Sequence, residues 1–348
     1  MGINRLLDRS PMSLYVHIPF CETKCPYCDF NTYSRIELLI PSYVKALRAE
    51  IELWGNVLDS PSLETVFFGG GTPSYIPVDD LSSIIQSVIR SFRLQDGAEI
   101  TLECNPGDLD ESTLRDYLVS GVNRISIGVQ SFDDQMLSLL GRRHNSDQAM
   151  SAFDATVRAG FRNVSIDLMY GLPDQTLAMW SKTLKVAAQL NPRHISLYGL
   201  TLEEGTPLER WVSSGRVSDP DPDLAADMYL LAEDKMISAG YVHYEISNWS
   251  KPGFESRHNL TYWKNLPYLG VGPGAHSYVG TLRFHNLRSP REYISRLSDD
   301  QMLDVVRKVN TDPDDELVEG NADKIHGGDA QGSHIGFVPV VDNMEAID

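Results

Sequence analysis

Three cysteines fall within eight residues, Cys21, Cys25 and Cys28, in the run Tyr15-Val-His-Ile-Pro-Phe-Cys21-Glu-Thr-Lys-Cys25-Pro-Tyr-Cys28-Asp-Phe30. The C-x3-C-x2-C spacing supplies three thiolates and no fourth. A closed zinc site takes four ligands, and so does an ordinary iron–sulfur cluster. Three thiolates on a four-iron (4Fe-4S) cluster leave one iron open, where a small molecule can bind and react. The competing reading is zinc with His17 as fourth ligand, although His17 lies upstream of the loop on a predicted strand. With four cysteines in the chain, three of them clustered, a disulfide framework is not expected. This usage suits metal binding in a reducing, cytoplasmic compartment.

An open iron can chelate the amine and carboxylate of an amino acid, and S-adenosylmethionine presents such a head group. Tyr27, just before the third cysteine, is placed to pack on an adenine ring. Gly69-Gly70-Gly71-Thr72-Pro73 lacks side-chain barriers, so its backbone carbonyls can approach a ligand ammonium; the bland alternative is a tight strand-to-helix turn. Glu103, Gln130, Arg142 and Asp167 suit sugar hydroxyls and a carboxylate, the arginine through its planar fork. Taken singly, each is as readily a structural polar group. Cys104 follows Glu103 directly, so it should face the opposite side of its strand and pack in the core. Gly270-x-Gly272-x-Gly274 mimics a dinucleotide fingerprint but lacks the strand–helix context, and Pro273 interrupts any helix start. His276 reads as structural.

These groups need a frame, and short apolar runs alternate with helix-period segments to give one. Strands are expected at Ser13–Ile18, Thr65–Phe68, Glu99–Cys104, Arg124–Val129, Val164–Met169 and His194–Leu200. Helices are expected at Ser42–Trp54, Asp79–Phe92, Glu111–Val119, Asp133–Leu140, Asp147–Ala159 and Leu177–Leu190, with Gly121 and Gly160 as stops. The alternation implies an α/β fold, a partial or complete parallel (β/α) barrel of about six units. Chemistry in such sheets collects at the carboxyl ends of the strands, and the cysteine loop, glycine loop, Glu103, Gln130 and Asp167 all fall there. Further helices are expected at Pro207–Val212 and Leu224–Ala239. A loop-rich α+β extension follows, dense in aromatics, histidines and glycines. The domain reading is an N-terminal segment 1–12, a core 13–240, a segment 241–300 facing a ligand, and a tail 301–348.

The 348 residues are 42% hydrophobic, enough for a large core, and carry a formal charge of −18. Such a surface repels phosphates, so nucleic acid is not an expected partner. No apolar run approaches the roughly 20 residues of a membrane span; peripheral membrane contact stays open. The first ten residues lack the apolar segment of a secretory signal. Residues 301–348 hold three Lys/Arg against eleven Asp/Glu and no clear period, which reads as a poorly ordered tail.

C-x3-C-x2-C with an aromatic before its last cysteine resembles the radical S-adenosylmethionine superfamily. Tyr15-x-His17-x-Pro19-Phe20-Cys21, the Gly69–Pro73 loop, Gly128-Val-Gln130-Ser-Phe132 and Asp167-Leu-Met-Tyr-Gly171-Leu-Pro173 narrow the resemblance. Together they resemble the oxygen-independent coproporphyrinogen III oxidase family, including its heme chaperone branch, over roughly residues 12–295. The tail after about residue 300, where that family carries a winged-helix-like region, does not match. The resemblance implies a 4Fe-4S cluster on Cys21, Cys25 and Cys28, and S-adenosylmethionine at Gly70, Gly71, Thr72, Glu103, Gln130, Arg142 and Asp167. It adds Tyr15, Tyr27 and Phe30 to the cofactor-contacting positions. Arg257-His258-Asn259-Leu-Thr-Tyr262-Trp263 resembles the H-N-x-x-Y-W signature of the chaperone branch, which implies heme binding at His258, Asn259, Tyr262 and Trp263. Histidine is a common axial ligand and aromatics flank porphyrin faces; a buried loop histidine is the bland alternative.

Phe30 stands where the oxidases of the family carry a further cysteine, and their N-terminal extension is longer. The chaperone reading therefore leads, with heme, a heme-accepting protein and a low-potential flavodoxin- or ferredoxin-type electron donor as partners. The alternative is an oxygen-independent coproporphyrinogen III oxidase, so whether the chain is an enzyme stays open. A radical enzyme acting on RNA fits the acidic charge poorly.

Overall fold

The computed structural model describes residues 11–298 and 341–346. The expected N-terminal segment and tail therefore lie almost wholly outside the described residues. In chain order the elements are β1 (Met12–Ile18), α1 (Ile40–Val57), β2 (Ser62–Gly70), α2 (Val78–Ser91), β3 (Arg93–Cys104), α3 (Glu111–Ser120), β4 (Arg124–Gln130), α4 (Asp134–Leu139), α5 (Ser146–Ala159), β5 (Asn163–Tyr170), α6 (Leu177–Leu190) and β6 (His194–Gly199). Then follow α7 (Pro207–Ser213), α8 (Pro222–Ser238), β7 (Val242–Glu245), β8 (Asn248–Ser250), α9 (Arg257–Trp263), β9 (Tyr268–Val271), β10 (His276–Val279), β11 (Leu282–Asn286), α10 (Pro290–Leu297) and β12 (Val341–Ala346).

Among the described residues, all strands join one sheet in the order β12-β11-β10-β9-β1-β2-β3-β4-β5-β6-β8-β7. β1 to β6 pair in parallel. β12 and β7 are the two unjoined ends, so the barrel is partial. The segment that reads as loop-rich supplies strands at both margins. β9 adds a further parallel strand beside β1, while β8 runs antiparallel to β6.

Side chains alternate across each strand, and the two faces differ sharply. Leu14, Val16 and Ile18 of β1, Leu102 of β3, Ile125 and Ile127 of β4 and Ile166 and Leu168 of β5 point outward and are buried in the main core. Helices cover that face. Trp54 of α1, Leu81 of α2 and Trp180 of α6 are among the groups packed into it. Cys104 lies in this core, as its position after Glu103 implies. The opposite residues, such as Ser13, Thr65, Glu99, Thr101, Arg124, Ser165 and His194, are buried yet polar. They line the concave face, where polar groups must find partners or bind something.

Helix ends follow local chemistry. Gly121 and Gly160 end α3 and α5 with φ of 107° and 112°, a left-handed cap that glycine takes at little cost. α5 begins with a reciprocal cap between Asn145 and Gln148. The Gly270–Gly274 run opens no helix; it leaves β9 and turns into β10. Among the described residues, no helix is long and apolar enough to cross a membrane.

Candidate functional site

A cavity of about 420 Å³ opens at the carboxyl ends of β1 to β6, within the size range of small-molecule sites. Cys21, Cys25, Cys28, Tyr27, Phe30, Gly70, Gly71, Thr72, Glu103, Gln130, Arg142 and Asp167 all line it. They come from the ends or following loops of five strands, so only the sheet brings them together.

The cysteine loop is shaped by backbone bonds: Cys28 N–H donates to Cys25 O at 3.1 Å and Cys21 N–H to Tyr33 O at 2.9 Å. Each thiol is half-buried with its own neighbour. Thr72 Oγ1 lies 3.5 Å from Cys21 Sγ, Arg142 Nη1 donates to Cys25 Sγ at 3.4 Å, and Thr32 Oγ1 is 3.8 Å from Cys28 Sγ. Burial pushes the Cys21 and Cys28 thiols up in pKa; a bound cation reverses this and favours the thiolates. Among the described residues, no three His, Cys, Asp or Glu side chains are gathered as a set for one metal ion. Thiolates that hold separate irons of a cluster need not meet at a point. The sulfur-only donor set on a roomy cavity therefore fits a cluster.

The glycine loop presses against this wall. A Cβ on Gly71 would lie 2.6 Å from Phe20 O, 2.9 Å from Ile18 O and 3.1 Å from Cys21 Sγ. A Cβ on Gly70, whose φ is +109°, would meet the His17 ring at 2.5 Å. His17 itself is engaged: Nε2 pairs with Asn31 O at 3.0 Å and Nδ1 with the Tyr15 hydroxyl at 3.1 Å. Both nitrogens are thus used behind the cavity wall, as a support for the loop.

Charged groups crowd the cavity floor. Glu103 is half-buried and its carboxyl is pushed up to about 8, by desolvation first and then by Asp167, against one hydrogen bond from Gly70 N–H at 3.2 Å. Burial also raises Asp167, which accepts from Ser126 Oγ at 3.1 Å. Arg124, buried in the barrel interior, offsets both carboxylates. Arg142 Nη2 donates to Gly128 O at 2.7 Å, while its buried Nε has no hydrogen-bond partner. Gln130 holds a left-handed φ of 67°, a strained state for a non-glycine residue. Together these supply donors, acceptors and both signs of charge to a ligand with an amine, a carboxylate and hydroxyls.

Tyr27 packs on a small apolar cluster of Met136, Leu140, Met169 and Leu172, which fixes its ring at the cavity edge. Phe30 lies at the mouth and is 65% exposed. Tyr15, grouped with the cavity from its motif, is displaced one layer behind it. Its ring stacks on Phe67 at 6.2 Å and its hydroxyl meets His17, because strand alternation turns both into the barrel interior. Tyr198, Ser126 and Arg143 also line the cavity, although no motif singles them out, and so does Asn105, which closes the third strand. Tyr198 and Ser126 carry a faint signal, polar groups near the ends of strands.

The second set of residues lies elsewhere. α9 packs on β2, towards the amino-terminal side of the barrel. Ser256 caps it, and Ser13 Oγ of β1 meets Thr261 Oγ1 at 2.7 Å. His258 is 1% exposed. Its Nδ1 pairs with Thr65 Oγ1 at 2.7 Å, its Nε2 with the Tyr262 hydroxyl at 2.9 Å, and its ring stacks on Phe67 at 5.0 Å. Burial, then Arg124, hold its pKa down to about 3. In this arrangement both ring nitrogens of His258 are engaged in hydrogen bonds. Tyr262 and Trp263 are 42% and 55% exposed, and Asn259 is half-buried. None of the four reaches the cysteine cavity.

The Radical SAM superfamily model matches residues 15–187. The heme chaperone HemW of Synechocystis is 40% identical over 81% of this chain and 70% of its own length. HemW of Escherichia coli is 39% identical over 82% and 76%. Among solved structures, coproporphyrinogen III oxidase (HemN) from Escherichia coli superposes with a TM-score of 0.75 at 24% identity, covering 88% of this chain and 77% of that one. That likeness speaks for the fold, while the sequence matches carry the closer relationship. The chain belongs to the HemW family of the radical SAM superfamily.

Proposed function

We propose that this chain is a heme carrier that holds a 4Fe-4S cluster on Cys21, Cys25 and Cys28 and S-adenosylmethionine beside it. The observation that carries the cofactor reading is the convergence of three thiols with Gly70–Thr72, Glu103, Gln130, Arg142 and Asp167 on one cavity. When bound, such a cluster supplies a single electron at low potential, drawn from a flavodoxin- or ferredoxin-type donor. The chain's own groups do the holding: the glycine loop meets the ligand amine, Arg142 its carboxylate, and Glu103 or Asp167 the ribose hydroxyls. Tyr27 offers a ring face to the adenine.

Heme is taken at the segment 241–300, on the exposed side of α9, where Tyr262 and Trp263 present aromatic faces. His258 braces that surface from beneath. The core 13–240 carries the cluster, and an acceptor protein receives the heme. The resemblance of relatives named as heme chaperones supports this reading.

Anaerobic reconstitution with iron and sulfide, followed by parallel heme titration and coproporphyrinogen III turnover, tests it. Heme binding without turnover is the expected result. Turnover would replace the carrier reading with an oxidase. Heme binding unchanged by Ala at His258, Tyr262 and Trp263 together would move heme away from α9.

A further inference from the structure

The Gly270–Gly274 run is too constrained for a casual turn. Gly272 has φ +95°, and a Cβ there would lie 2.5 Å from His17 O; a Cβ on Gly274, φ +76°, would lie 2.6 Å from Asn31 Nδ2. Asn31 closes the cysteine loop three residues after Cys28. Its Nδ2 donates to Pro273 O at 2.9 Å and to Arg288 O at 3.0 Å, and its Oδ1 accepts from Tyr33 O–H at 3.0 Å. Its own carbonyl receives His17 Nε2.

The turn is fixed in its own right. Glu50 of α1, fully buried, accepts from Gly272 N–H at 2.8 Å, Asn286 Nδ2 at 2.6 Å and Tyr293 O–H at 2.6 Å. Asn286 Nδ2 also reaches Gly272 O at 3.0 Å. One carboxylate thus ties α1, the turn, β11 and α10 together; the turn offers the Pro273 carbonyl to Asn31, and the link from β11 to α10 offers that of Arg288.

We propose that Asn31 is a positioning residue for the cysteine loop, and that the Gly272–Gly274 turn braced by Glu50 is the seat it locks into. The geometry selects a carboxamide. Two carbonyls take a donor, and the Tyr33 hydroxyl, which also reaches Arg288 O at 3.3 Å, takes an acceptor at 3.0 Å; an amide side chain of this length gives both. The consequence is that segment 270–293 decides how firmly the three thiols are held, although it lies some 240 residues along the chain. This inference rests on the cluster reading for its purpose and on the hydrogen bonds alone for the seat.

The test compares the full chain with Asn31→Asp, Gly274→Ala and Tyr33→Phe. Asn31→Asp sets an acceptor against two carbonyls. Amide hydrogen exchange of residues 21–33 in metal-free protein should quicken about tenfold in Asn31→Asp and Gly274→Ala, less in Tyr33→Phe, with α6 unchanged. After anaerobic reconstitution, iron release to a chelator should quicken in the same order. Wild-type exchange in residues 21–33 of Asn31→Asp overturns the proposal, as does exchange that quickens equally throughout the chain. A wild-type chain that loads no cluster iron instead defeats the cluster reading, and the exchange data then decide the seat alone.

Discussion

The two ends of the barrel hold similar residue types in opposite states. At the carboxyl ends of the strands, groups are left wanting: Arg142 has an unpartnered nitrogen, and the half-buried carboxyls of Glu103 and Asp167 crowd one floor. At α9, His258 has both nitrogens bonded and a ring stacked on Phe67. Incomplete satisfaction marks a place built for a ligand, whereas complete satisfaction marks a brace. His258 thus supports Tyr262 from below, through its hydroxyl at 2.9 Å and an edge-on ring contact at 5.3 Å.

The sharpest way to break this contrast is to empty the first end. Replacing Cys21, Cys25 and Cys28 together by Ala should abolish cluster iron, from about four per chain to none, while heme titration at α9 persists. Loss of both would show one coupled site. Next in size, His258→Ala removes two ring hydrogen bonds and a stacked contact from the interior. It should cost about 2–4 kcal/mol in chemical denaturation with iron content intact. A stable His258→Ala protein that has lost heme binding, with Tyr262→Phe still binding it, would make the histidine a direct ligand rather than a brace.

The third prediction uses pH. Glu103 titrates near 8 in the fold against an ordinary 4.5, so the folded chain binds this proton more tightly than the unfolded one. Its contribution is complete below about 4.5 and is lost as pH rises towards 8. Glu103→Gln should flatten the decline in melting temperature of metal-free protein across that window, relative to wild type. Parallel slopes would mean that Glu103 is already ionised and solvated. The smallest contrast compares two glycines. Gly71→Ala drives a methyl into Phe20 O and Cys21 Sγ and should speed iron loss. Gly107→Ala meets nothing within 4 Å and should change stability by less than about 0.5 kcal/mol.

Much of the frame can be read from the chain because its signals are local. Gly121 and Gly160 stop their helices where expected, and the six parallel strands fall where apolar runs alternate with helical periods. The cavity residues were readable from their places after strands, since a parallel sheet gathers those ends whatever its details. Tyr15 does not line the cavity, because its strand face turns it towards His17 and Phe67, which the motif by itself does not reveal. β7 to β11 carry too few residues each for a periodic signal, and their pairing depends on partners far away.

The order of residues alone settles the thiol spacing, the glycine loop and the alternation that makes one face of each strand apolar. These are properties of segments shorter than about ten residues, and local geometry enforces them. Tertiary structure alone decides that His258 meets Thr65, 193 positions away, and that Asn31 locks onto Pro273 and Arg288. Those contacts exist only once the sheet has set which strands lie side by side. A seven-residue helix can turn either face inward, and the packing of α9 against β2 makes the choice.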